Sequence, residues 1–210
     1  MARALRRAAA VPVGRWGERE KGILDVAWAL YAERGYENVP MAEVAHAAGL
    51  SEGTLYNYFR DKRDLVLRVS LLHFNDRIAE AERVVAAAPT LRDGVIGLIA
   101  IQLGIIVDAR EIYRIWLREV RAAKGYRRSR SRDLLRRFSN QFVRLLERFD
   151  IEIDPSLGLS PGMMRDIVMG GVEHLAFTAI IQRRETDLDI GRTAAHLADC
   201  YLRAFALTAH

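Results

Sequence analysis

The stretch Val44-Ala45-His46-Ala47-Ala48-Gly49-Leu50-Ser51-Glu52-Gly53-Thr54-Leu55-Tyr56-Asn57-Tyr58-Phe59 reads as two short helices joined by a sharp bend. Val44, Ala45 and Ala48 fall at helical spacing and supply one apolar face. Gly49 follows the last periodic residue, where a helix commonly ends in the left-handed conformation that glycine adopts without a Cβ clash. Leu50 is then placed to plug the bend. Ser51 is placed to cap a second helix by accepting a backbone N–H that has no intrahelical partner. In that helix Leu55, Tyr58 and Phe59 share an inward face, and Thr54, Tyr56 and Asn57 are left outward. Small, polar and aromatic groups on a short helix behind a glycine turn suit entry into a DNA major groove. A helical hairpin within an all-α enzyme carries the same Gly and Ser punctuation, so spacing alone leaves both readings open.

The wording of the stretch goes further. From Ile23-Leu24-Asp25-Val26-Ala27 through Gly35-Tyr36, the quoted stretch and Asp61-Lys62, residues 20–68 resemble the DNA-binding domain of the TetR/AcrR family of bacterial transcriptional regulators. The resemblance covers about a quarter of the chain, in several separated blocks held in register. It implies an all-α fold of about nine helices: a three-helix helix-turn-helix DNA-binding domain (16–62) and a helical effector-binding and dimerisation domain (63–210). Ahead of them Arg3, Arg6, Arg7 and Arg15, around an Ala-rich segment broken by Pro12 and Gly14, read as a basic flexible arm (1–15), either a solubilising tail or an arm that touches DNA phosphates or the minor groove. The resemblance also implies a ligand-responsive dimeric regulator, a repressor released from a palindromic double-stranded operator by a small hydrophobic effector. In the roles carried over, Thr54, Tyr56 and Asn57 meet base edges, with Asn57 suited to adenine and the Thr54 methyl to thymine. Ser51, Gly53, Tyr58 and Lys62 anchor phosphates, Gly53 because it lets the backbone approach closely. The sequence departs from the family at Val39 and Pro40, where Thr or Ser hydroxyls are usual. Asn38 is left to cap the second helix.

Composition agrees. The 210 residues are 50% hydrophobic, enough for a core, and five prolines with pervasive helical periodicity favour an all-α protein. A net charge of +5 fits a polyanionic partner. A single Cys200 rules out an internal disulfide and suits a reducing, cytoplasmic compartment. The apolar run from Gly94 to Val107 is too short to span a membrane, for which about 20 residues are needed.

Downstream, Asp61 is placed to cap a fourth helix running to about Ala88, with Asp64 at its third position. Lys62 and Arg63 on its first turn oppose the helix dipole unless an anion lies against them. A fifth helix opens at Pro89-Thr90 and is apolar all round, hence central. Its glycines at 94, 97 and 104 each cost about 1 kcal/mol relative to alanine, which points to close helix approach or to room for a ligand. Further helices are expected at about 109–123, 131–149, 160–184 and from 189. The resemblance implies that the last two pair with their copies in a homodimer. Candidate effector-lining residues are Leu98, Gln102, Ile105, Tyr113, Trp116, Leu117, Phe138, Phe142, Met164, Ile167 and Val168. The greasy interior fits an acyl chain.

The residues from Arg121 to Arg137 hold eight cations against one anion, more net charge than the whole chain. A solvated loop, a site for a phosphate-bearing ligand such as an acyl-CoA and a second nucleic-acid contact all fit that composition. No His-Glu-x-x-His, phosphate-binding glycine loop, Gly-x-Ser-x-Gly or cysteine pair marks a catalytic, metal or cofactor site. The expectation is therefore of no enzyme and no cofactor; the rival readings are an all-α enzyme and a DNA-binding or scaffold protein that senses no ligand.

Overall fold

A computed structural model describes residues 15–108, 110–121, 126–178 and 188–207. The described residues form nine α-helices and no strand: α1 (Arg15–Arg34), α2 (Met41–Ala47), α3 (Glu52–Tyr58), α4 (Lys62–Ala87), α5 (Leu91–Asp108), α6 (Arg110–Ile115), α7 (Arg130–Arg148), α8 (Pro161–Ala176) and α9 (Ile190–Ala204). The expected arm falls outside the described residues, apart from Arg15 at the start of α1. No helix among the described residues is long and apolar enough to cross a membrane.

The starts of these helices follow local chemistry. Ser51, Thr90, Ser160 and Asp189 each accept the backbone N–H three residues on, opening α3, α5, α8 and α9. Asp61 does the same for α4, taking the Asp64 N–H at 2.7 Å. The expected helix over 109–123 is instead a short α6 that continues as a π-helix over Trp116–Arg121. The helix expected to reach Arg184 is α-helical to Ala176, and part of the remaining run lies outside the described residues.

The chain divides into two compact units. The first holds the described residues of Met1–Asn75 and Ala109–Asp133. Its core is built from Ile23, Ala27 and Tyr31 of α1, Val44 of α2, Leu55 of α3, Phe59 and the Leu65, Val66 and Val69 face of α4. Ile112 and Ile115 of α6 complete that core, so the helix after α5 belongs with the N-terminal helices. Asn38 does not cap α2: its amide donates to the Arg34 carbonyl at 2.9 Å and so closes the end of α1, while Pro40 stands at the α2 N-cap. Val39, where the family usually has a hydroxyl, is fully buried in the core.

The second unit holds the described residues of Asp76–Asp108 and Leu134–His210, so α4 contributes residues 62–75 to the first unit and 76–87 to the second. α5 is central here, with α8 and α9 both packed along it. Two of its three glycines are close-approach points. A Cβ at Gly94 would lie 2.4 Å from Leu145 Cδ1, and one at Gly97 would lie 2.5 Å from Val84 Cγ1. At Gly104 only Asp108 Oδ2, 3.7 Å away, would be met. Arg92 forks onto Asp199 at 2.7 and 3.0 Å, tying α5 to α9. Arg137 reaches Glu82 at 2.8 Å, tying α7 to α4.

Candidate nucleic-acid interface

The bend between α2 and α3 is closed by backbone alone. Gly49 sits at φ +67°, its N–H bonds the His46 carbonyl at 3.0 Å, and the Leu50 N–H reaches back to the Ala45 carbonyl at 2.8 Å. These are the paired bonds of a Schellman helix end, which demand a left-handed residue at Gly49. The chain then turns directly into α3, where Ser51 Oγ takes the Thr54 N–H at 3.2 Å and pairs with Thr54 Oγ1 at 2.8 Å.

On α3 the inward face is Leu55, continued by Phe59 just past the helix end, both fully buried. The opposite stripe, Gly53, Tyr56 and Asn57 at i, i+3 and i+4, is exposed, and Tyr56 keeps 48% of its surface despite being a large aromatic. A Cβ added at Gly53 would meet nothing within 4 Å, so no packing inside the chain requires glycine there. Thr54 and Tyr58 are half-buried, and Ser51 is exposed.

Lys62 is more enclosed than its place on a first turn suggests. Its Nζ donates to the Glu37 carbonyl at 3.3 Å and lies 4.4 Å from the centre of the Tyr36 ring. Burial lowers its pKa, partly countered by the Glu37 carboxylate. These contacts supply partners within the chain for a cation that the helix dipole disfavours.

Arg68 had no signature in the sequence, since its partners are remote or ordinary. It bonds Glu20 of α1 at 2.9 Å and Asp64 at 3.1 Å, and its guanidinium carbon stands 5.3 Å from the centre of the Phe59 ring. Burial opposes its charge, but the hydrogen bonds to Glu20 and Asp64 outweigh it and raise its pKa.

The residues expected to line an effector site are divided. Tyr113, Trp116 and Leu117 lie in the first unit, with the Tyr113 and Trp116 rings stacked 5.9 Å apart. Leu98, Gln102, Phe138, Phe142, Met164 and Val168 are buried in the second unit, and Ile105 is half-buried there. Gln102 donates to the Met169 carbonyl at 2.7 Å. Ile167 is 44% exposed on α8. Among the described residues no group of His, Cys, Asp and Glu is placed to hold a metal ion.

Residues 23–69 match the family model described as bacterial regulatory proteins, tetR family. The fatty acid metabolism regulator protein of Bacillus subtilis (strain 168) is 20% identical over 166 residues, which span 79% of this chain and 86% of that protein. The HTH-type transcriptional repressor KstR of Mycobacterium tuberculosis is 38% identical over 73 residues, 35% of this chain and 33% of that one. The crystal structure of the transcriptional regulator FadR from Bacillus subtilis in complex with stearoyl-CoA superposes with a TM-score of 0.67 at 18% identity, covering 86% of this chain and 96% of that one. At that identity the structural likeness is one of fold.

Proposed function

Because the chain belongs to the tetR family of bacterial transcriptional regulators, we propose that it binds a palindromic operator as a homodimer and leaves it when a small hydrophobic effector binds. The observation that carries the reading is the exposed stripe of Gly53, Tyr56 and Asn57 above a fully buried Leu55 and Phe59. In this reading Tyr56, Asn57 and Thr54 address base edges. With the Thr54 hydroxyl engaged by Ser51, its methyl is the group available to a thymine methyl. In the same reading Gly53 admits a phosphate close to the α3 backbone, and Ser51, Tyr58 and Lys62 serve as further phosphate anchors.

Dimerisation through α8 and α9 is supported by large apolar side chains left outward on α8: Met163 at 50%, Ile167 at 44% and Leu175 at 37% exposure. Apolar surface of this kind on one helix favours a self-complementary partner face. An acyl or acyl-CoA effector is supported by the stearoyl-CoA bound to the Bacillus subtilis regulator and by the apolar helix α5. Repression is supported by the relative named as a repressor. Helix α4 runs from the first unit into the second without a break, so an effector that favours one position of α4 biases the recognition helices.

The test is selection of bound duplexes from a random library, followed by titration of the selected complex with acyl-CoAs and free fatty acids. The expected outcome is an inverted repeat bound by two chains and released by one of these ligands. Selection of no sequence, or of a single unrepeated half-site bound by one chain, contradicts the dimeric operator. Persistence of the complex with every ligand contradicts the proposed effector class.

A further inference from the structure

The helix-turn-helix region is not itself cationic. Residues 15–75 carry eight Lys and Arg against nine Asp and Glu, whereas residues 109–133 carry nine against three. Phosphate neutralisation is a large part of protein–DNA affinity, so a helix-turn-helix of slight negative charge draws cations from outside residues 15–75: from Arg3, Arg6 and Arg7 of the arm and, three times as many, from residues 109–133.

The cationic stretch is footed on the same unit. Ile112 and Ile115 lie in one core with Leu55 and Phe59. Trp116 is buried beside them, stacked with Tyr113 and met edge-on by Tyr126 at 6.3 Å. From this apolar footing Arg118, Arg121 and Arg128 are exposed. Arg118 lies 3.4 Å from the Glu37 carboxylate, and the Glu37 carbonyl takes Lys62 just beyond the recognition helix. A single residue thus joins the π-helix to the start of α4. The Arg118–Glu37 pair is 61% and 73% exposed, so it is weak and a phosphate can replace the carboxylate.

We propose that Arg118, Arg121 and Arg128 form a second, sequence-independent DNA surface that takes the phosphate backbone beside the segment read by α3. The inference rests on the DNA-binding reading above and adds the source of its electrostatic affinity. It assigns the arginines to DNA rather than to a phosphate-bearing ligand of the effector type.

The test uses the full chain on selected and random duplexes across about 50–300 mM salt, the range over which counterion release is read. Arg118→Gln/Arg121→Gln/Arg128→Gln is compared with Arg136→Gln, an exposed arginine of the second unit. The triple variant is expected to lose roughly tenfold or more on both duplexes at low salt, and its salt slope to become shallower by about two to three for each chain bound, hence by about five for a dimer. Arg136→Gln leaves both unchanged. Glu37→Gln, which removes one carboxylate that competes for Arg118, tightens both duplexes a few-fold and needs no arginine replaced. An unchanged slope in the triple variant, a loss confined to the selected duplex, or lost palmitoyl-CoA binding with an intact slope each overturns the proposal. If the wild type binds no DNA, the underlying reading falls with it. If the wild type binds and Asn57→Ala loses selectivity while the triple variant keeps its slope, only this inference falls.

Discussion

Arg68 in α4 and Glu20 in α1 meet at 2.9 Å although 48 positions separate them. The same guanidinium holds Asp64, and Asp64 accepts the Arg60 N–H at 3.1 Å just after α3. One side chain therefore ties the first helix, the exit of α3 and the start of α4. Replacing Arg68 with leucine strands two part-buried carboxylates and is expected to cost about 2–3 kcal/mol of unfolding free energy. Glu20→Gln leaves Asp64 in place and is expected to cost about 1 kcal/mol. Chemical denaturation checks the order, and equal costs would refute the hub.

Two glycines four residues apart separate folding from binding. Gly49→Ala forces a side chain into the left-handed region, where φ is +67°, and is expected to lower stability by about 1–2 kcal/mol. Gly53→Ala meets nothing within 4 Å and is expected to hold or raise stability, by up to about 1 kcal/mol. It is nevertheless expected to weaken operator binding roughly tenfold, a loss of about 1.4 kcal/mol, by keeping a phosphate off the backbone. Thermal melts with anisotropy titrations measure both. Full DNA affinity in Gly53→Ala would remove Gly53 from the interface.

In the second unit Gly97 faces Val84, whose branched side chain has little freedom to yield. Gly97→Ala is expected to lose about 1–2 kcal/mol, because overpacking exceeds the gain in helix propensity. Val84→Ala in the same chain is expected to recover most of the Gly97→Ala penalty. A double-mutant cycle reads this directly, and additive costs would show that the two helices do not meet there.

Ala206 carries φ +51° at the end of α9, with its N–H on the Arg203 carbonyl and the Leu207 N–H on the Leu202 carbonyl. This is the Schellman geometry of Gly49 with an alanine in the strained place. Ala206→Gly is expected to stabilise the chain by about 1 kcal/mol, read as a rise in melting temperature. A fall would mean that the strain is absent.

The helix-turn-helix was legible because its determinants are local. Gly49, Ser51 and Asp61 each act on backbone groups within five residues, so sequence order alone reveals them. The stripe from Ile112 to Trp116 told a different story. Its spacing says that one face is buried, but not that Ile112 and Ile115 join the core of a region more than 40 residues earlier. Asn38 had two helix ends within reach, and only the folded turn decides that it serves Arg34. The α5 glycines announced a cost without naming the occupants, Leu145 and Val84. Ile167 followed the helical period of α8, yet falls on its outward side.

Whether the outward stripe of α3 reads DNA sequence is decided by the ratio of affinities of Asn57→Ala for the selected operator and a random duplex. This ratio is expected to fall roughly ten- to a hundredfold, the worth of about 1–3 kcal/mol of base discrimination, while random-duplex affinity and the salt slope stay unchanged. An unchanged ratio, or an equal loss on both duplexes, would contradict that reading.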